Sequence, residues 1–125
     1  MGAKILIVDD EAHIRLLIEQ ALEELEDEGV DLLTAENGEE AIELIKAEPP
    51  QLIFLDVMLP KMNGFDVCQQ VRRELGMQDV YIVMLTAKGQ EFDKQRGEAV
   101  GANLYLTKPF DPDELLACAR EALGV

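Results

Sequence analysis

A chain of 125 residues, 48% of them hydrophobic, is long enough for one ordinary domain with a continuous core and too short for two. Eleven basic against 26 acidic residues leave a net charge of -15, which repels nucleic-acid phosphate and anionic lipid and argues against direct DNA binding. No apolar run approaches the ~18 residues of a membrane span, and Lys4, Asp9 and Asp10 interrupt the N-terminus before a signal-peptide core could form.

The charge is uneven: residues 1–48 carry 15 acids and three bases, a net of -12, which reads chiefly as a solvated acidic face. Cys68 and Cys118 stand 50 residues apart in segments of helical period. They suit small buried hydrophobes better than a disulfide or metal motif, and a reducing, cytoplasmic setting follows as the expectation.

In chain order, short runs rich in Ile, Val and Leu at 4–8, 31–35, 52–55, 80–85 and 104–106 are each bounded by Gly, Pro, Asp or Asn and read as five strands. Between them, apolar residues recur on single helical faces: Ile14, Leu17, Ile18, Ala21, Leu22 and Leu25; then Cys68, Val71 and Leu75; then Leu115, Leu116, Ala119 and Leu123. Asn37-Gly38 precedes the second helix, Pro49-Pro50 follows it, and Asp111-Pro112 opens the last, while Gly29 stands as a helix stop. The segment 90–100 offers only Phe92, Ala99 and Val100 as an apolar stripe, so a fourth helix there should be the least firmly docked. Strict alternation of apolar strands with helices implies an α/β doubly wound fold, a five-stranded parallel sheet covered on both sides. One domain, 1–125, with no attached effector domain is expected.

In open parallel sheets ligands bind beyond the carboxyl ends of the strands. There the first strand presents Asp9-Asp10, the third Asp56, the fourth Thr86 and the fifth Lys108. Two carboxylates about 4 Å apart repel by roughly 4 kcal/mol at an effective dielectric of about 20. A hard divalent cation offsets this, and few carboxylates with room for water favour magnesium over a calcium cage. A carboxylate beside magnesium, an ammonium and a hydroxyl is also suited to phosphoryl transfer, with Asp56 as nucleophile between the acid pair and the Thr86–Lys108 side.

Asp9-Asp10-Glu11, the run Asp56 to Gly64, Leu85-Thr86-Ala87 and Tyr105 to Phe110 together resemble the receiver domain of bacterial two-component response regulators, the CheY-like family. The resemblance covers essentially the whole chain. It implies a flavodoxin-like (βα)5 fold with strand order 2-1-3-4-5. It also implies a signalling switch, not a conventional enzyme, in which Asp56 receives phosphate from a phosphohistidine on a sensor histidine kinase or phosphotransfer protein. Asp9, Asp10, Asp56 and the backbone carbonyl of Met58 would hold Mg2+. Thr86, the Ala87 backbone and Lys108 would bind the phosphoryl group, Tyr105 would be the switch aromatic, and Lys108-Pro109 would be a cis peptide. Met58 and Lys88 would tune phosphate lifetime, and because neither side chain carries an amide or carboxylate, the expectation is a long-lived phosphoaspartate.

Output would pass to a downstream protein partner through the surface of segment 90–100, the fifth strand and the last helix, without membrane contact. Asn103 and Leu104 stand where the DNA-binding subgroup commonly shows acids, so output through a separate protein is simpler than dimerisation by charged pairs.

Blander roles stand beside these. Asp10 reads as a helix N-cap compatible with metal binding. Asp9 and Asp56, as strand-end carboxylates, have no evident backbone duty. His13 reads as an exposed helical residue, and Gly64 and Gly101 as positive-φ turns. Two other functions use similar residues: a receiver-like scaffold not controlled by phosphorylation, and a phosphatase of the haloacid dehalogenase type. The latter places its nucleophile on the first strand and its acid pair late, the reverse of the order here.

Overall fold

The computed structural model describes residues 2–60, 62–87 and 101–125. Five strands form one parallel sheet: β1 (Lys4–Val8), β2 (Asp31–Ala35), β3 (Leu52–Asp56), β4 (Tyr81–Ala87) and β5 (Leu104–Lys108), in the order β2-β1-β3-β4-β5. The apolar runs predict each strand to within two residues. The segment 90–100 and Lys88 lie outside the described residues.

Alternation along the strands divides the core. Leu6, Val8, Ile53, Leu55, Ile82 and Met84 pack on one face, with Ile42 and Ile45 of α3 (Gly38–Ala47) and Phe65, Val67 and Cys68 of α4 (Gly64–Gln69). Ile5, Ile7, Leu52, Phe54, Val83 and Leu85 pack on the other, against α1 (Ala12–Ala21), α2 (Glu23–Asp27) and α5 (Pro112–Leu123). Each buried residue of these strands thus alternates sides with period two, which is why both faces read as one continuous apolar run. Burial pushes both thiols, Cys68 and Cys118, up to about 11, in keeping with cysteines that serve as small hydrophobes.

The local signals act as read for α3 and α5. Asn37 accepts from the Glu40 N–H (2.9 Å), and Asp111 accepts from the Asp113 N–H (2.8 Å) ahead of Pro112. Gly29 and Gly101 have φ of 99° and 98°, conformations that glycine adopts without steric cost. Gly64 departs from expectation: its φ is not positive, and it is the first residue of α4. A Cβ there would lie 2.4 Å from the Asp56 carbonyl oxygen, so glycine is required by close approach to the end of β3.

The helix after β3 also differs from a regular period. Beyond α4, Gln70–Glu74 forms a widened π turn in which the Leu75 N–H reaches the Gln70 carbonyl at 2.9 Å. Both Val71 and Arg72 are buried within it. The Arg72 guanidinium donates to the carbonyls of Gly101 (3.0 Å) and Met77 (2.9 Å) and to Asn103 Oδ1 (2.8 Å). Asn103 Oδ1 accepts a second bond from the Ile82 N–H at 2.8 Å. Asn103 therefore belongs to a clasp that fastens the amino end of β5 to β4 and to the π turn.

Candidate functional site

At the opposite, carboxyl end of the sheet, β1 and β3 are neighbours, and Asp9 and Asp56 end up side by side. One carboxylate oxygen from each of Asp9, Asp10 and Asp56 lies within 4.8 Å of the others. Asp9 is fully buried and Asp56 is 4% exposed, whereas Asp10 faces solvent. Lys108, at the end of β5, reaches across to Asp9 Oδ2 at 3.0 Å and Asp56 Oδ1 at 3.4 Å, with Glu11 Oε1 at 4.0 Å. The lysine thus bridges carboxylates from two strands and offsets part of their repulsion.

The buried acids have backbone duties that strand-end position alone does not reveal. Asp9 Oδ1 accepts from the Glu11 N–H at 2.9 Å, so Asp9, and not Asp10, braces the start of α1. Glu11 stands at the N-cap position without a side-chain bond of its own. Asp56 Oδ1 accepts from the Met58 N–H at 3.2 Å, which draws the loop after β3 over the carboxylate. The N–H of Gly64 returns to the Val57 carbonyl at 3.0 Å and closes that loop.

Electrostatics follow from this geometry. Burial, and then the Asp9 charge, push the Asp56 carboxyl up to about 6 against the opposing pull of Lys108 and the Met58 N–H. Burial works against the Lys108 ammonium, but its bond to Asp9 and the charges of Asp56 and Asp9 outweigh it and hold the lysine above its ordinary value. The donor set is oxygen-only, anionic, few in number and open to solvent at Asp10. That fits a hard divalent cation that keeps part of its water shell, as magnesium does.

Thr86 is buried at 3% exposure, one residue beyond the Leu85 that pairs with Asp56, and stands opposite Thr107. The Ala87 backbone is in register with Lys108. Tyr105 lies deeper in β5, opposite Met84, half-buried against the core. Met58 is 64% exposed beside the acidic cluster, and Lys108-Pro109 is cis. His13 is exposed on α1, as expected, 3.7 Å from Glu11.

The model for the response regulator receiver domain matches residues 5–120. The chain belongs to that family. The receiver is 48% identical over 120 residues to a probable transcriptional regulator, ycf27, of Porphyra purpurea, covering 96% of this chain and 47% of that one. It is 48% identical over 123 residues to the alkaline phosphatase synthesis transcriptional regulatory protein PhoP of Bacillus subtilis (strain 168), covering 98% and 49%. The chain thus spans about half the length of the curated relatives it matches. Among solved structures, Vibrio cholerae chemotaxis protein CheY4 superposes with a TM-score of 0.86 at 35% identity, over 98% of the receiver and 99% of that chain. No described helix of the receiver is long and apolar enough to cross a membrane.

The family's order of acid pair, central aspartate, threonine and lysine is the order of the strand ends here, and not that of a haloacid dehalogenase phosphatase. Sequence reasoning brought Asp9, Asp10, Asp56 and Lys108 together correctly. It missed the direct Lys108–Asp9 bond and the Arg72–Asn103 clasp; helical period sets Arg72 on the flank of the face of Cys68 and Leu75 but does not say which acceptors meet it there.

Proposed function

We propose that the receiver is a phosphorylation switch whose acceptor is Asp56. The observation that carries this reading is the meeting of three carboxylates within 4.8 Å under a lysine that touches two of them. Asp56 is the nucleophile by position: it sits between Asp9, just past β1, and Thr86 on β4, with its carboxylate held by the Met58 N–H. Asp9, Asp10 and Asp56, with the Met58 carbonyl, are the proposed magnesium ligands. When bound, the ion would withdraw charge from the phosphoryl oxygens.

Lys108 is held charged by its two aspartates, ready to transfer one of its bonds to a phosphoryl oxygen. Thr86 supplies a hydroxyl and the Ala87 backbone an N–H on the other side. In the transfer, an Asp56 carboxylate oxygen bonds to phosphorus as the phosphorus–nitrogen bond of a donor phosphohistidine breaks, and the imidazole leaves. The donor is a sensor histidine kinase or phosphotransfer protein. The added charge, about -1.5 to -2, then biases Thr86 and Tyr105 and the surface around β5 and α5 toward a protein partner. Exposed Met58, and Lys88, would govern access of water to the acyl phosphate, without a side-chain amide or carboxylate to speed its loss.

A cytoplasmic, reducing setting completes the proposal, in keeping with two buried free thiols. The names of the curated relatives are those of transcriptional regulators; in a protein of their length, control of a DNA-binding region by this switch is the corresponding proposal.

Incubation with acetyl phosphate and magnesium followed by intact mass measurement tests the reading. One phosphoryl adduct is expected, and Asp56→Asn abolishes it. An adduct that survives that substitution, or steady turnover of small phosphate esters, contradicts it.

A further inference from the structure

Arg15 lies one turn into α1, and its side chain is only 15% exposed. Its Nη1 donates to the backbone carbonyl of Asp9 at 2.6 Å, and its Nη2 stands 3.6 Å from Glu36 Oε1 in the loop after β2. The guanidinium therefore comes to the acid pair from behind, through a main-chain oxygen, and ties the loop after β1 to the loop after β2. The Asp9 N–H is fastened as well, to the Ala35 carbonyl at 3.2 Å, and its side chain is held by Glu11 and Lys108.

Because the peptide bond is planar, the Asp9 carbonyl oxygen, the Asp10 nitrogen and the Asp10 Cα share one plane. Gripping that oxygen fixes the rotation of the plane about the Asp9 Cα–C bond, one residue past β1. It thereby fixes where the Asp10 side chain starts. Asp10 is the exposed member of the acidic cluster and has the most freedom to lose its place. A planar fork suits this task, since one guanidinium reaches two acceptors in a set geometry and an ammonium serves as a single point charge.

The geometry points to Arg15 as the positioning residue of the acid pair: by holding the Asp9 carbonyl it places Asp10, and so sets the strength with which this rim takes up a divalent cation. The inference rests on the reading of the rim given above. It has a sign that separates it from a simple charge effect. Removing a cation beside three carboxylates should tighten magnesium binding if charge were all that mattered, whereas loss of positioning weakens it.

Magnesium is titrated into the intact protein and the amide shifts of Asp56 to Leu59 give the Kd, for wild type, Arg15→Lys and Arg15→Met, below the melting temperature of each. Arg15→Met should weaken magnesium binding about tenfold, the low end of what loss of an orienting partner costs a metal site. Arg15→Lys, with charge kept and the fork lost, should weaken it by roughly threefold or more. A Kd for Arg15→Met equal to or tighter than wild type overturns the role of Arg15 alone, even if its melting temperature falls. A wild type that takes up no magnesium overturns the rim reading and this inference with it.

Discussion

A buried or half-buried cation stands at each end of β5, Arg72 from the π turn and Lys108 from the strand itself, and the two are held in opposite ways. At the amino end Arg72 is 9% exposed and satisfied by neutral acceptors: two carbonyls and the Asn103 amide oxygen. At the carboxyl end the Lys108 side chain is 20% exposed and leans on the carboxylates of Asp9 and Asp56. A planar fork among fixed backbone oxygens has one arrangement and nothing to exchange with. An ammonium on a flexible stem between two anions has bonds of similar strength available to any new anion. The same strand is thus clamped at its base and exchangeable at its rim, which is what a switch strand needs.

The largest loss should come from breaking the base. Arg72→Met leaves the Gly101 and Met77 carbonyls and Asn103 without their donor at a part-buried place and removes three bonds from a charged group, at a cost of about 2 kcal/mol in urea unfolding. Magnesium uptake at the rim should persist in the folded variant. A loss below about 1 kcal/mol would mean the clasp does not hold the strand.

At the rim the sign reverses. The Asp56 carboxyl is pushed from 3.8 up to about 6 in the folded protein. Its protonated form therefore favours folding: the contribution is fully present below about 4 and is lost as pH rises through about 6. Without added magnesium, Asp56→Asn should then be more stable than wild type by about 2 kcal/mol at pH 7, a gap that narrows as pH falls and closes near pH 4. Urea titrations at a series of pH values check this, and a variant less stable than wild type at pH 7 would contradict it.

The smallest effect sharpens the contrast. Asn103→Asp turns a bond from a charged donor into an ion pair at an exposed position, so a gain of about 0.5 kcal/mol is expected at pH 7. If stability instead falls, the neutral acceptors at the base are there because a charge cannot be accommodated.

Much of this was legible in the sequence because each rim residue ends an apolar run. Asp9-Asp10, Asp56 and Thr86 come directly after their apolar runs and Lys108 follows one residue later, after Thr107, and parallel strands must deliver them to one edge. The interactions that depend on depth were not legible. Arg15 and Arg72 belong to no motif in the sequence, yet one grips a main-chain oxygen behind the acid pair and the other is buried in a widened turn. Gly64 reads as a turn residue, and only the approach of the Asp56 carbonyl reveals that it is a matter of space. The duty of Asp9 toward Glu11 is likewise invisible to a rule that assigns capping to the residue just before the helix.

The central claim is that the rim responds to a phosphoryl group while the base stays fixed. Amide spectra with and without beryllofluoride and magnesium test it most directly. Shifts should concentrate at Asp9 to Glu11, Asp56 to Met58, Thr86 and Tyr105 to Lys108, with Arg72, Ile82 and Asn103 unmoved. A spectrum unchanged at Asp56 and Lys108, or one in which the base moves as much as the rim, would contradict the account.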